Sequence, residues 1–246
     1  MNRKLTFALA ATAIALTPAC AQSNVDTADK EAIEEVVRAY ILENPEIIEE
    51  ALIELDKKRT LAEATRASEQ LAERQDDLFA NPADYSIGPD DAPISVVEFF
   101  DYRCGFCKRS AEWASELPEK YDGKVRVVFK EMPILSAESE QAALAAIAAG
   151  KQGKYIEMHM ALMELEGGFK PDDIDGAAES AGVDLAKMRA DMKSMAVQKT
   201  VADSKSLARE LGINGTPNFI IGDQMVNGAD TDAVERIIEE ALKEIG

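Results

Sequence analysis

Residues 22–84 contain neither glycine nor cysteine and only two prolines, Pro45 and Pro82. A stretch so poor in chain-breakers reads as helix. Apolar residues recur at Ile33, Val36, Val37, Tyr40 and Ile41, the i, i+3, i+4 spacing of one helical stripe. Asn44-Pro45-Glu46 reads as a restart, with Asn44 as N-cap, Pro45 at the first helical position and an acid near the positive helix end. Ile47, Ile48, Ala51, Leu52 and Leu55 carry the stripe on; from Asp56 to about Gln75 only Ala and Leu are apolar. A short stripe followed by a polar rod cannot bury itself alone. Either it folds back, or copies of residues 28–55 pack together; self-association is the preferred reading, and a solvated spacer the plain alternative.

The pattern changes after Asn81-Pro82 and the turn-rich Gly88-Pro89-Asp90-Asp91-Ala92-Pro93. Ile94–Phe100 is a β-branched and aromatic run expected to be a buried strand, and Val125–Lys130 a second. Helix is expected from Cys104 to about Lys120 and over most of 137–212. Residues 218–221 and 224–227 read as a hairpin turning at Gly222-Asp223, and Thr231–Ile245 as a closing amphipathic helix. The order β-α-β, helical block, β-β-α is that of a compact α/β domain over 85–246.

The first residues read differently. Met1-Asn2-Arg3-Lys4 is basic, Leu5–Leu16 is apolar or small, and Ala19-Cys20-Ala21 fits the small-x-small cleavage rule. Residues 1–21 are therefore expected to be an export signal, giving a mature chain from Gln22 in the periplasm. A lipoprotein acylated at Cys20 is the weaker reading, because Thr17 stands where a large aliphatic residue is usual. Two cysteines then remain, Cys104 and Cys107, in an oxidising compartment.

Charge excludes several functions. With 27 Lys+Arg against 46 Asp+Glu, the 246-residue chain carries −19, which opposes nucleic-acid phosphates and anionic membranes as partners. A single histidine, His159, argues against a Ser-His-Asp triad and rules out a multi-histidine metal centre.

The chemistry points to Cys104-Gly105-Phe106-Cys107. At a strand-to-helix junction the first sulfur meets free backbone N–H groups and the positive dipole end, which favour thiolate. Arg103 and Lys108 add positive charge. The second cysteine, one turn inside, can attack a mixed disulfide formed by the first. A c-type haem site would need His where Lys108 stands, and a zinc site four ligands where two thiols and one distant imidazole exist. A structural disulfide is poorly placed in a loop at a helix start.

Together with Val97–Cys107, Val128-Phe129-Lys130-Glu131-Met132-Pro133 and Gly215-Thr216-Pro217-Asn218-Phe219, this motif resembles the Dsb family of secreted thiol–disulfide oxidoreductases. The resemblance covers roughly 85–246. It implies a thioredoxin-like α/β fold with an inserted helical subdomain at about 137–212. It implies catalytic roles for Cys104 and Cys107 as a redox-active disulfide, a cis Pro217 after Thr216 packed against them, and no other cofactor or metal. Glu98 matches a buried acid of the family that assists proton transfer; a strand carboxylate paired with Lys130 is an equal reading.

The N-terminal helical oligomerisation arm makes the chain look like the suppressor-of-copper-sensitivity C proteins and related trimeric DsbA-like proteins. Thr216 resembles isomerase and reductase members more than strict oxidases. The family's strongest oxidases carry Pro-His where Gly105-Phe106 stands, so weaker thiolate stabilisation is expected here. These features imply a periplasmic disulfide isomerase or thiol–disulfide oxidoreductase, a homo-oligomer with a trimer preferred. Its partners would be unfolded or misoxidised secreted proteins and a membrane thiol reductase, DsbD-like or its copper-sensitivity counterpart. A DsbA-like oxidase is the alternative, and a copper(I)-binding protein using Met158, Met160, Met163, Met188, Met192 and Met195 a more remote one. Those methionines read first as core or adaptable surface, His159 as a packing or hydrogen-bonded residue, and Trp113 as a core anchor.

Overall fold

The computed structural model describes residues 27–245. The expected export signal and Cys20 lie outside the described residues. Two compact units divide between Arg59 and Thr60.

In the first unit, α1 spans Thr27–Glu43 and α2 begins at Glu46. Asn44 does not cap α2 as its position suggests. Its side-chain amide donates instead to the Tyr40 carbonyl at 3.0 Å, satisfying one of the acceptors that the last turn of α1 leaves free. Ile33, Val36, Val37 and Tyr40 are all at least half exposed.

The second unit opens with the rest of α2, which ends at Glu73, and α3 (Gln75–Phe79). A five-stranded sheet follows, built from β1 (Tyr85–Ile87), β2 (Ile94–Phe100), β3 (Val125–Glu131), β4 (Asn218–Ile221) and β5 (Gln224–Asn227) in the order β1-β3-β2-β4-β5. Only β2 and β3 run parallel; the other pairs are antiparallel. Helices cover both faces of the central pair, which is why Ile94–Phe100 reads as a continuous apolar run rather than an alternation. Val96 and Phe100 enter one core with Val127, Phe129 and the helices α4 (Gly105–Lys120) and α10 (Thr231–Ile245). Val97 and Phe99 enter a second core with Val128, Leu207 and Ile220.

The second core also takes Leu71 and Leu78, 1% and 0% exposed. The stretch from Leu71 to Leu78 is therefore packed into the second unit, although the sequence groups it with the arm. β1 is the other unexpected element: three residues between Pro82 and Gly88, pairing Tyr85 with Phe129. The Tyr85 ring stacks on Tyr155 at 4.3 Å and lies against Gly150, where an added Cβ would sit 2.1 Å from the ring. Only glycine fits that position.

Between β3 and β4 lie five helices: α5 (Ala137–Gly150), α6 (Tyr155–Glu164), α7 (Pro171–Ser180), α8 (Leu185–Asp191) and α9 (Met195–Glu210). The alanine-rich α5 is buried continuously from Ala142 to Ala149 at their centre. The fold is thioredoxin-like, with the expected helical insertion. Among the described residues no helix is long and apolar enough to cross a membrane.

Candidate active site

Strand β2 delivers the chain to Asp101 and Tyr102, and α4 starts at Gly105, so Cys104 occupies the N-cap position. Its extended backbone (φ −74°, ψ 115°) turns the sulfur towards the first helical turn, where Sγ accepts the Cys107 N–H at 3.5 Å. Cys104 is 7% exposed and Cys107 0%; no disulfide joins them. The Thr216 carbonyl oxygen lies 3.2 Å from Cys104 Sγ, and the Thr216–Pro217 peptide bond is cis. Cys104, Cys107 and Thr216 are thus brought together, with Pro217 adjoining.

The two thiols are driven apart. Cys104 is lowered to about 5, chiefly because the Cys107 thiol donates to it; burial opposes this, while the Thr216 side chain and the backbone N–H groups of Cys107 and Phe106 assist. The Thr216 carbonyl can accept only from the protonated thiol. At pH 7 this favours the Cys104 thiolate over the thiol. The stabilisation missing with the Pro-His imidazole is supplied here by hydrogen bonds. Cys107 is pushed up, first by burial, then by its bond to Cys104 and by the charge of Glu98. The arrangement thus favours a thiolate at one sulfur and a retained proton at the other, the division of roles that disulfide exchange requires.

Arg103 and Lys108 are engaged away from the sulfur. Arg103 pairs with Glu138 at 3.2 Å. The Lys108 ammonium donates to the carbonyls of Met163, at 2.9 Å, and Leu165, over the Phe169 ring. These carbonyls end α6, so Lys108 ties the active-site helix to the helical insertion.

Glu98 lies on β2, 1% exposed, and neither carboxylate oxygen has a hydrogen-bond partner among the described residues. Burial, then the Cys104 charge, raise it to about 8, and the nearby Ser110 hydroxyl is turned to the Phe106 and Cys107 carbonyls instead. Lys130 pairs with Asp84 instead, both side chains almost fully buried. Of the two readings open for Glu98, the Lys130 pair is absent.

Two carboxylates escaped the sequence, Asp101 and Glu131, whereas His159 is buried and hydrogen-bonded as expected. Asp101, 1% exposed, accepts from the amides of Arg103, Ile134 and Leu135 and from the Ser139 hydroxyl at 2.7–2.9 Å. Glu131 is buried and accepts from Tyr102 and Tyr155 hydroxyls at 3.0 and 2.9 Å. His159 Nδ1 sits 3.2 Å from the Tyr102 hydroxyl, and burial lowers the imidazole to about 3, keeping it neutral. Nothing short of a known fold would have placed these side chains together. Trp113 packs edge-on to Phe219 and donates to Glu235 at 2.7 Å.

Met158, Met163, Met188 and Met192 are buried, whereas Met195 is 87% exposed. Among the described residues no group of three or more His, Cys, Asp or Glu side chains is arranged to hold a metal ion.

Residues 95–238 match the family model described as a DSBA-like thioredoxin domain, and residues 29–60 match that of the copper resistance protein ScsC N-terminal domain. A solved linker-deletion mutant of Proteus mirabilis ScsC is 28% identical, covers 91% of this chain and 99% of its own, and superposes with a TM-score of 0.68. A thioredoxin-like oxidoreductase from Silicibacter pomeroyi DSS-3 is 38% identical over 67% of this chain and 97% of its own, with a TM-score of 0.61. Among curated relatives, the Na(+)/H(+) antiporter NhaA 1 of Salinispora arenicola is 30% identical over 59% of this chain, but the chain spans only 22% of that protein's length.

Proposed function

Because this chain belongs to the family of DsbA-like thioredoxin domains, which are thiol–disulfide oxidoreductases, we propose that it is a periplasmic disulfide isomerase acting on secreted proteins. The proposed organisation is an export signal over 1–21, a self-associating helical arm beginning at 22, and a catalytic domain ending at 246. The Cys104 thiolate attacks a client disulfide, forming a mixed disulfide and releasing a client thiolate. That thiolate, or a second one, attacks the mixed disulfide and restores Cys104, so no net electrons move. If Cys107 attacks first, the client gains two electrons and Cys104–Cys107 becomes a disulfide. A membrane thiol reductase of the DsbD type would return those two electrons. In this scheme Glu98 accepts the Cys107 proton, and the Thr216–Pro217 loop lies along the client chain.

The observation that carries the isomerase reading is the unburied apolar stripe Ile33, Val36, Val37 and Tyr40, within the segment matching the ScsC N-terminal domain. Such a stripe favours packing against copies of itself, which would set several dithiols, three in a trimer, around one misfolded client. Refolding of scrambled ribonuclease tests this. Deleting residues 22–59 should abolish rescue while insulin reduction persists; rescue by the truncated protein would sink the reading.

One observation favours the alternative oxidase. A Cys104 thiol lowered to about 5 stabilises the dithiol form and makes the disulfide more oxidising. Oxidation of a reduced client by the pre-oxidised protein, faster than its rescue of a scrambled one, would mark this second role.

A further inference from the structure

The Asp101 carboxylate is buried, yet no cation lies within ion-pair distance among the described residues. Four donors satisfy it instead: the amides of Arg103, Ile134 and Leu135 and the hydroxyl of Ser139. Burying an anion is unfavourable unless several donors converge on it, so this carboxylate holds together everything it touches. On one side is the catalytic turn, since the Asp101 carbonyl also accepts the Cys104 N–H at 3.0 Å. On the other is the connection from β3 to α5, whose Ile134 and Leu135 side chains are 43% and 54% exposed. Through these bonds the Ile134 amide lies within about 10 Å of Cys104. Beside Ile134 opens a groove of about 380 Å³, lined on its apolar side by Met132, Pro133 and Ala137 and on its polar side by Glu140, Lys205 and Arg209.

We propose that Asp101 is a positioning residue that fixes Ile134 and Leu135 as an apolar ledge for the client residue flanking the attacked cysteine, so that aliphatic-flanked disulfides are the preferred substrates. This deepens the reading of the chain as a client-handling oxidoreductase and rests on it. A client joined to Cys104 through sulfur must lay its neighbouring residues across the surrounding surface. Two or three extended residues span about 7–10 Å, enough to bring a flanking side chain onto the ledge. Two loosely held aliphatic residues would gain little from contact, because ordering them would offset the burial. Held by Asp101, they are ordered beforehand.

The test uses the full chain and two peptide disulfides, identical except for leucine or serine beside the cysteine. The readout is the ratio of their kcat/KM values. In the wild type the leucine peptide should be favoured about tenfold, mostly through KM, as expected for burying one aliphatic side chain. In I134S/L135S and in D101N, whose amide cannot accept from all four donors, the ratio should fall to about one. A ratio kept by either folded variant, or a wild-type ratio of one, overturns the proposal. Should D101N not fold, I134S/L135S decides alone. Brisk turnover of both peptides without preference would sink only the ledge; no exchange with either would sink the oxidoreductase reading itself.

Discussion

Glu98 and Lys130 stand on adjacent parallel strands but project from opposite faces of the sheet. The register pairs Glu98 with Phe129 and Phe99 with Lys130, and side chains alternate across a strand. Glu98 therefore faces α4 and the cysteines, while Lys130 faces the second core and Asp84. The pleat forbids the ion pair that opposite charges suggest, and burial leaves the acid at about 8.

An acid raised in the folded state binds its proton more tightly there than in the unfolded chain. Its contribution to stability therefore falls as pH rises from the ordinary carboxylate value of 4.5 to about 8, and is flat above. Glu98→Gln should remove this slope and raise stability at pH 8 by a few kcal/mol, on the order implied by that shift. It should also slow Cys107 attack on a mixed disulfide about tenfold or more, and erase a rate increase near pH 8, because the base is gone. Denaturant melts and stopped-flow resolution between pH 5 and 9 check both signs.

The largest support for the Cys104 thiolate is the Cys107 thiol. Cys107→Ala should therefore raise the ionisation midpoint of Cys104, whereas Cys107→Ser, which keeps a donor, should raise it less. A group lowered on folding stabilises the folded state above its unfolded value, and loses that stabilisation as pH falls through the folded one. The Cys104 contribution to the stability of the reduced protein should thus be lost as pH falls from about 9 to about 5, opposite in sign to that of Glu98, and Glu98→Gln should expose it. Thiolate absorbance and alkylation rate against pH report the midpoints; identical midpoints in all three proteins would contradict the hydrogen-bond account.

The strand–helix junction at Cys104, the hairpin at Gly222-Asp223 and the closing helix were legible because each is written in local pattern: a β-branched run, a C-x-x-C, a turn pair, an amphipathic period. The pairing of Cys104 with Thr216 across more than a hundred residues came only through resemblance. Asp101 was not legible, since its four partners lie on α5, the preceding loop and its own turn. β1 was missed because three residues between a proline and a glycine carry too little pattern. The charges of Arg103 and Lys108 were misplaced for a related reason: adjacency in sequence does not say which way a long side chain reaches.

Lys108 illustrates the consequence. Its ammonium satisfies two carbonyls at the end of α6, so Lys108→Met would leave both without that donor. A cost of about 1–3 kcal/mol is expected, with hydrogen exchange accelerated at the α6–α7 connection. Cys104 ionisation should move little, because the Lys108 charge is not among its causes. A large change in that midpoint would mean the ammonium acts on the sulfur after all.

The second compact unit takes in the end of α2. Leu71 closes the second core with Leu78, Phe99 and Leu207, although the helix carrying it reads as polar from Asp56 onward. Leu71→Ala should cost about 2–5 kcal/mol, the usual range for emptying a buried leucine site. Leu61→Ala, on the same helix but 69% exposed, should change stability by under about 0.5 kcal/mol. A protein starting at residue 60 should unfold cooperatively with native-like stability. One starting at residue 85 loses both leucines and the Asp84 partner of buried Lys130, leaving an apolar face and an uncompensated ammonium. It should be insoluble or several kcal/mol weaker. Equal melting of the two truncations would show that residues 60–84 belong to the arm, as the helical pattern alone suggests.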